Sequence, residues 1–215
     1  MFPPLVLLAD SQLLFHRTGD GAPFLAAPLA LAAEPVRRAA YLGASNGDAP
    51  EFYELFTGAM ELVGVRDCRH VKDDAAADDL AFLERADLVL LAGGDADRGM
   101  RSFERSGARA RVVDAYLRGA VLVGTSAGAM QLGVLDEAAR GFGFVPFAIG
   151  VHDEPEWSEL RRRLALAGAG ARAVGIPAGG GALYHRDGTL EPVRHALAEL
   201  VVLGDGSVAD TLLVP

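Results

Sequence analysis

Two apolar runs that are hydrophobic on both of their faces constrain the fold most. They are Leu88-Val89-Leu90-Leu91 and Val121-Leu122-Val123. A strand has this composition when it lies in a parallel sheet with helices on both sides. The two runs therefore predict a mainly parallel sheet with helices packed on both of its faces.

The rest of the chain alternates short apolar runs with helical patterns. Strands are expected at residues 5–9, 39–42, 87–92, 120–124, 173–176 and 200–203. Helices are expected at 52–63, 108–118 and 157–167, each followed by glycine. The alternation predicts an α/β fold with a three-layer, doubly wound, mostly parallel sheet. Turn sequences at 185–189 and 204–207 predict antiparallel hairpins near the C-terminus.

Composition limits the classes of function. A length of 215 residues fits a single domain, expected to span 1–215. The net charge of −9 argues against a nucleic-acid partner. Cys68 is the only cysteine, so no cysteine-based metal cluster is expected, and no metal or cofactor is predicted. No apolar run is long enough to span a membrane, and with no targeting segment recognised we expect a cytoplasmic protein.

A serine lies between two glycines at the end of the run that contains Val121. The stretch is Gly124-Thr125-Ser126-Ala127-Gly128, and a helix-compatible sequence follows it. A strand, a Gly-x-Ser-x-Gly turn and a helix form the nucleophile-elbow pattern. The pattern predicts strained backbone angles at Ser126, which would be the nucleophile. The N–H group of Ala127 would then face a developing oxyanion.

A second strand end carries Gly93-Gly94-Asp95, directly after the predicted strand at 87–92. In a doubly wound sheet, sites form outside the carboxyl ends of the strands. Gly94 could supply a second oxyanion N–H group, and Gly93 and Asp95 could contact substrate. The alternative is an ordinary turn that Asp95 caps.

A serine nucleophile needs a base, and His152 is the best candidate among five histidines. It follows an apolar segment, residues 147–151, which can run as a strand towards the same crevice. The other histidines, His16, His70, His185 and His195, lie in polar or hairpin-like surroundings.

These motifs together resemble the S51 serine peptidases, which include aspartyl dipeptidases (peptidase E) and cyanophycinases. The resemblance runs from the strand before Gly43 to the segment at 175–179. It implies the fold of class I glutamine amidotransferases and hydrolysis of small peptides without a cofactor. It also implies that Ser126 is the nucleophile, that His152 is the base, and that the N–H groups of Gly94 and Ala127 form the oxyanion hole.

The sequence departs from the dipeptidase pattern at Ala178. The dipeptidases carry at this position a glutamate that orients the histidine. Asp153, Glu154 and Asp136 are candidates to replace it. Because Asp153 and Glu154 add negative charge beside His152, classic Asp-X dipeptidase activity is expected to be weak or absent.

Two other functions fit the same residues. One is an α/β-hydrolase esterase, for which His195 would have to be the base. The other is a degraded peptidase that binds a small peptide or a partner protein. A homodimer is also compatible with the sequence.

Overall fold

The computed structural model describes residues 3–134 and 141–215. The strands are β1 (Leu5–Leu8), β2 (Arg38–Leu42), β3 (Asp67–Val71), β4 (Leu88–Leu91), β5 (Val121–Thr125), β6 (Ala148–Val151), β7 (Arg172–Ile176), β8 (Gly181–Tyr184), β9 (Leu190–Val193), β10 (Leu197–Val202) and β11 (Val208–Leu213). The helices are α1 (Ala26–Ala30), α2 (Pro50–Leu62), α3 (Ala77–Glu84), α4 (Ala96–Ser106), α5 (Ala108–Arg118), α6 (Ala127–Leu132) and α7 (Ser158–Ala167).

Seven strands form the large sheet, in the order β3-β2-β4-β5-β1-β8-β9. The five from β3 to β1 are parallel, and β8 and β9 continue the sheet as an antiparallel pair. The predicted α/β class, the mostly parallel sheet and the antiparallel hairpin near the C-terminus are confirmed.

Successive residues of the central strands point into two different hydrophobic clusters. Val89 and Leu91 of β4 pack on the side of α3 to α6, whereas Leu88 and Leu90 pack on the side of α2. Leu122 of β5 joins the first cluster in the same way, while its neighbours join the second. This arrangement of helices, sheet and helices explains why these strands are apolar on both faces.

Strands β11-β10-β7-β6 form a second, four-stranded sheet, which the sequence did not predict. The segments at 173–176 and 200–203 were expected in a single sheet with the others. The two hairpins accordingly lie in different sheets, β8–β9 in the large one and β10–β11 in the small one. Ile149, Val174 and Leu197 nevertheless belong to the same cluster as Leu7 of the large sheet, so the two sheets share a core.

The helix predictions agree closely with the structure. Helix α5 covers 108–118 as expected, and α2 begins at Pro50 and ends one residue before the predicted limit. Trp157 precedes α7, and its ring packs against Gly175 of β7, where any Cβ would lie 2.6 Å from the ring. Among the described residues, no helix is both long and apolar enough to cross a membrane.

Candidate active site

Ser126 lies at the turn between β5 and α6. Its backbone angles are φ 51° and ψ −115°, outside the helical and extended regions. Its N–H group donates to the carbonyl of Leu8 at 2.8 Å, which ties the turn to the neighbouring strand β1. The predicted strain at Ser126 is therefore present, and non-glycine residues with such angles concentrate at functional sites.

The two glycines of the elbow are required by close packing. A Cβ on Gly124 would lie 2.5 Å from the carbonyl oxygen of Gly128. A Cβ on Gly128 would collide with the carbonyl of Leu91 in β4. Helix α6 can therefore cross the ends of β4 and β5 closely enough to hold Ser126 at the edge of the sheet.

The Gly93-Gly94 turn meets Ser126 at this edge. A Cβ on Gly93 would lie 3.2 Å from the Ser126 Cβ and 3.8 Å from its Oγ. Gly94 has φ 121° and packs against the backbone of Ser45, whose carbonyl accepts from the Asp95 N–H group at 2.9 Å. Two of the strand ends named from the sequence are thus brought together.

The N–H groups of Gly94 and Ala127 donate to no acceptor within residues 3–134 and 141–215. Ala127 is the first residue of α6, where N–H groups have no partner in the helix and carry partial positive charge. Both N–H groups are therefore available to a developing oxyanion.

Asp95 has a structural function. Its Oδ1 accepts from the Arg98 N–H group at 2.9 Å and so caps the N-terminus of α4. This agrees with the capping alternative derived from the sequence. A substrate contact by Asp95 or Gly93 stays a prediction.

His152 directly follows β6, as expected, and is exposed with φ 59°. In the part of the chain that the structure describes, no hydrogen bond joins its imidazole to Ser126 or to any carboxylate, and it is not among the residues that line the cavity beside Ser126. Its function as the base stays a prediction.

Two of the three candidate carboxylates beside His152 have other hydrogen-bond partners. Asp153 accepts from the N–H groups of Glu159 and Leu160 at 2.8 and 3.2 Å, which caps α7. Glu154 accepts from the Ala178 N–H group at 2.9 Å, which places a carboxylate next to the position where one is missing. Asp136 lies outside the described residues.

Asp10 is a residue at this site that sequence reasoning missed. It lies two residues after the end of β1 and lines the same cavity as Ser126. Its carboxylate accepts from the N–H groups of Gln12 and Gly179 at 2.8 and 2.6 Å. The available signal was its place at the end of a strand, since β1 lies beside β5 in the sheet.

Ser126 opens onto a cavity of about 320 Å³. Tyr41 and Asn46 line it and hydrogen-bond to each other, the Asn46 Nδ2 donating to the Tyr41 hydroxyl at 2.8 Å. Burial raises the pKa of Tyr41 to about 12, so its phenol stays protonated at neutral pH.

Three of the other four histidines, His70, His185 and His195, have different surroundings. His70 packs against the Tyr53 ring at 4.7 Å and lies 3.6 Å from Asp48. His185 is paired with Glu191 at 2.9 Å, whereas His195 is exposed and lies beside Gly179 and Gly180. Among the described residues, no group of three His, Cys, Asp or Glu side chains could hold a metal ion.

Comparisons with known proteins place this geometry in a family. The model of peptidase family S51 matches residues 29–152, which is more than half of the chain and includes Gly94, Ser126 and His152. No curated protein matches the sequence.

Two solved structures share the fold. A peptidase from an acI-B1 Actinobacterium has a TM-score of 0.65 and 13% identity, covering 100% of this chain and 95% of its own. A candidate peptidase E protein from Listeria monocytogenes EGD-e has a TM-score of 0.58 and 15% identity, covering 99% of this chain and 100% of its own. These two likenesses show the fold, and the family model, which covers more than half of the chain, identifies it as a member of peptidase family S51, a family of serine-type hydrolases.

Proposed function

We propose that this S51 member hydrolyses small peptides with Ser126 as the nucleophile. The observation that carries the proposal is the strained elbow at Ser126, held against Gly93 by glycines that tolerate no Cβ. The Ser126 Oγ would attack the scissile carbonyl carbon, while the N–H groups of Gly94 and Ala127 stabilise the negative charge on its oxygen.

His152 is the proposed base. It would take the proton of the Ser126 hydroxyl and return it to the leaving amine as the C–N bond breaks. Water would then release the acyl group from Ser126 by the same proton transfers. The imidazole is exposed at the end of β6, and catalytic hydrogen bonds that are long or absent without substrate often tighten when substrate binds.

Glu154 is the proposed third member, in place of the carboxylate that position 178 lacks. Glu154 lies two residues after His152 in the chain. Its carboxylate accepts a hydrogen bond from the Ala178 N–H group. Asp153 is less suited because it already accepts two N–H groups at the start of α7. Asp10 and Glu154 both add negative charge, so we propose that cleavage of Asp-X dipeptides is weak.

A degraded peptidase that binds a small peptide is the second candidate. It is favoured by the exposed position of His152 and by the alanine at position 178.

A small fluorophosphonate separates the two candidates. Its phosphorus forms a bond to the Ser126 Oγ as fluoride leaves and the hydroxyl proton is lost. For the enzyme we expect one adduct, mapped to Ser126 by peptide mass spectrometry and absent from Ser126→Ala. An unlabelled wild-type protein that still binds peptides would support the binding protein instead.

A further inference from the structure

Part of the wall of the cavity beside Ser126 is apolar. Phe52, Leu55 and Phe56 of α2 form part of it, and Leu14 and Leu90 complete it. Phe56 and Leu90 are fully buried, whereas Phe52 and Leu55 remain 45% and 42% exposed. Large, partly exposed apolar side chains in a cavity wall leave apolar surface that a ligand can cover.

The charge of the cavity disfavours an acidic side chain. Among the described residues that line it, Asp10 alone carries a charge, and that charge is negative. An aspartate side chain in this cavity would lose its hydration and gain no opposite charge. The Tyr41 phenol in the wall adds no charge at neutral pH, because its ordinary pKa of 10.0 is already far above 7 and burial raises that pKa further.

The position of the cavity indicates which substrate residue it would accept. Gly93, Gly94 and Thr125 line it together with Ser126, so it begins where the attacked carbonyl would lie. The side chain nearest to that carbonyl belongs to the residue on the acyl side of the scissile bond. A cavity of about 320 Å³ lies at the small end of the range for ligand sites, roughly 300–1,000 Å³.

We infer that this cavity binds an uncharged apolar side chain, of leucine or phenylalanine size, on the acyl side of the scissile bond. Phe52 and Leu55 are its specificity-determining residues. The inference rests on the proposed function of Ser126 and specifies its substrate class.

Two peptidyl diphenyl phosphonates test the inference, one with a leucine and one with an aspartate side chain. In each, the Ser126 Oγ bonds to phosphorus and phenol leaves with the hydroxyl proton. The rate of adduct formation is measured by mass spectrometry and divided by the rate with a small fluorophosphonate, which has no such side chain.

We expect the wild-type protein to react at least about tenfold faster with the leucine probe than with the aspartate probe. Phe52→Ser and Leu55→Ser should each lower the normalised leucine rate about fivefold or more. Leu62→Ser is the matched control, because Leu62 lies on the same helix with 40% exposure and does not line the cavity. Leu62→Ser should keep the wild-type value of the normalised leucine rate.

Failure of the inference differs from failure of the proposed function. Labelling of Ser126 with equal rates for the two side chains, or a faster aspartate probe, overturns the apolar subsite and leaves the nucleophile in place. Absence of labelling by every probe overturns the proposed function, and the subsite with it.

Discussion

At the scale of single residues, the carboxylate of Glu154 lies next to position 178, where the chain itself has an alanine. Ala178 is exposed, and its N–H group holds the Glu154 carboxylate. A misoriented catalytic histidine can lower turnover by a factor on the order of 10⁴. If Glu154 orients His152, removal of the Glu154 carboxylate should lower turnover. A glutamate introduced at position 178 should then take over the orienting function.

We therefore expect Glu154→Ala to lower kcat on the order of 10³-fold for the best-cleaved dipeptide. Adding Ala178→Glu to that variant should restore at least about tenfold, since the new carboxylate starts from the residue that held the old one. Ala178→Glu alone should bring no gain, because two carboxylates would then repel each other.

Glu156→Ala is the control for this series, since Glu156 is exposed in the same loop and its backbone carbonyl, which the substitution keeps, accepts from the Arg161 side chain. Steady-state kinetics measure all four variants. Wild-type kcat in Glu154→Ala would show that Glu154 does not orient His152.

His70 links stability to pH. Burial lowers the pKa of its imidazole below the ordinary value of 6.5, although Asp48 opposes the shift from 3.6 Å. The folded state then binds fewer protons than the unfolded state. The contribution of His70 to the free energy of unfolding should therefore be complete above about pH 6.5 and decrease as the pH falls below that value.

His70→Gln should flatten this dependence below about pH 6.5. Urea denaturation at a series of pH values measures it. The variant His195→Gln, at an exposed histidine, serves as control and should keep the wild-type slope below pH 6.5. An identical slope in wild type and His70→Gln would contradict this origin of the pH dependence.

At the scale of elements, Gln131 joins the elbow helix to the opposite loop. Its fully buried amide Nε2 donates to the Ser45 Oγ at 3.0 Å and to the Ala96 carbonyl at 2.9 Å. Ser45 in turn packs against Gly94 and accepts from Asp95. The bond network thus sets the position of Gly94 relative to the start of α6.

Gln131→Leu keeps the approximate size of the side chain and removes both bonds. We expect the free energy of unfolding to fall by about 1–3 kcal/mol, because the Ser45 hydroxyl and the Ala96 carbonyl lose a buried partner. We also expect kcat to fall about 10- to 100-fold with little change in KM, since a displaced oxyanion donor acts mainly in the transition state.

Met130→Leu, on the same helix, is the control and should keep both quantities near the wild-type values. A stability loss without any change in kcat would show that Gln131 supports the fold and does not set the oxyanion hole.

The predictability of the elements depended on how local their signals are. The elbow at Ser126 could be predicted because strand, glycines and helix are contiguous in sequence. Strand β3 was missed because Asp67, Arg69 and His70 make it polar, as an edge strand permits.

At the scale of the whole molecule, the sequence predicted the α/β class but not the division into two sheets. An apolar segment such as 173–176 has the same composition whichever sheet it joins, so only long-range pairing decides. The two sheets share a hydrophobic core, as expected for a single domain. That this domain spans residues 1–215 stays a prediction.

The candidate site shows the same limit. Ser126 and the Gly93-Gly94 turn could be named because strand ends meet at one edge of a parallel sheet. The bond from Gly179 to Asp10 and the bond from Ala178 to Glu154 join residues distant in sequence, and no local pattern announces them.

The central claim is that Ser126 and His152 act as one catalytic unit. The most direct measurement is kcat/KM for Ser126→Ala, His152→Ala and the double variant, on the best-cleaved member of a dipeptide panel with leucine, aspartate and lysine on the acyl side. We predict that each single exchange lowers kcat/KM at least about 10³-fold and that the double exchange costs little more. Wild-type hydrolysis by Ser126→Ala or by His152→Ala, or losses that multiply in the double variant, would contradict the account.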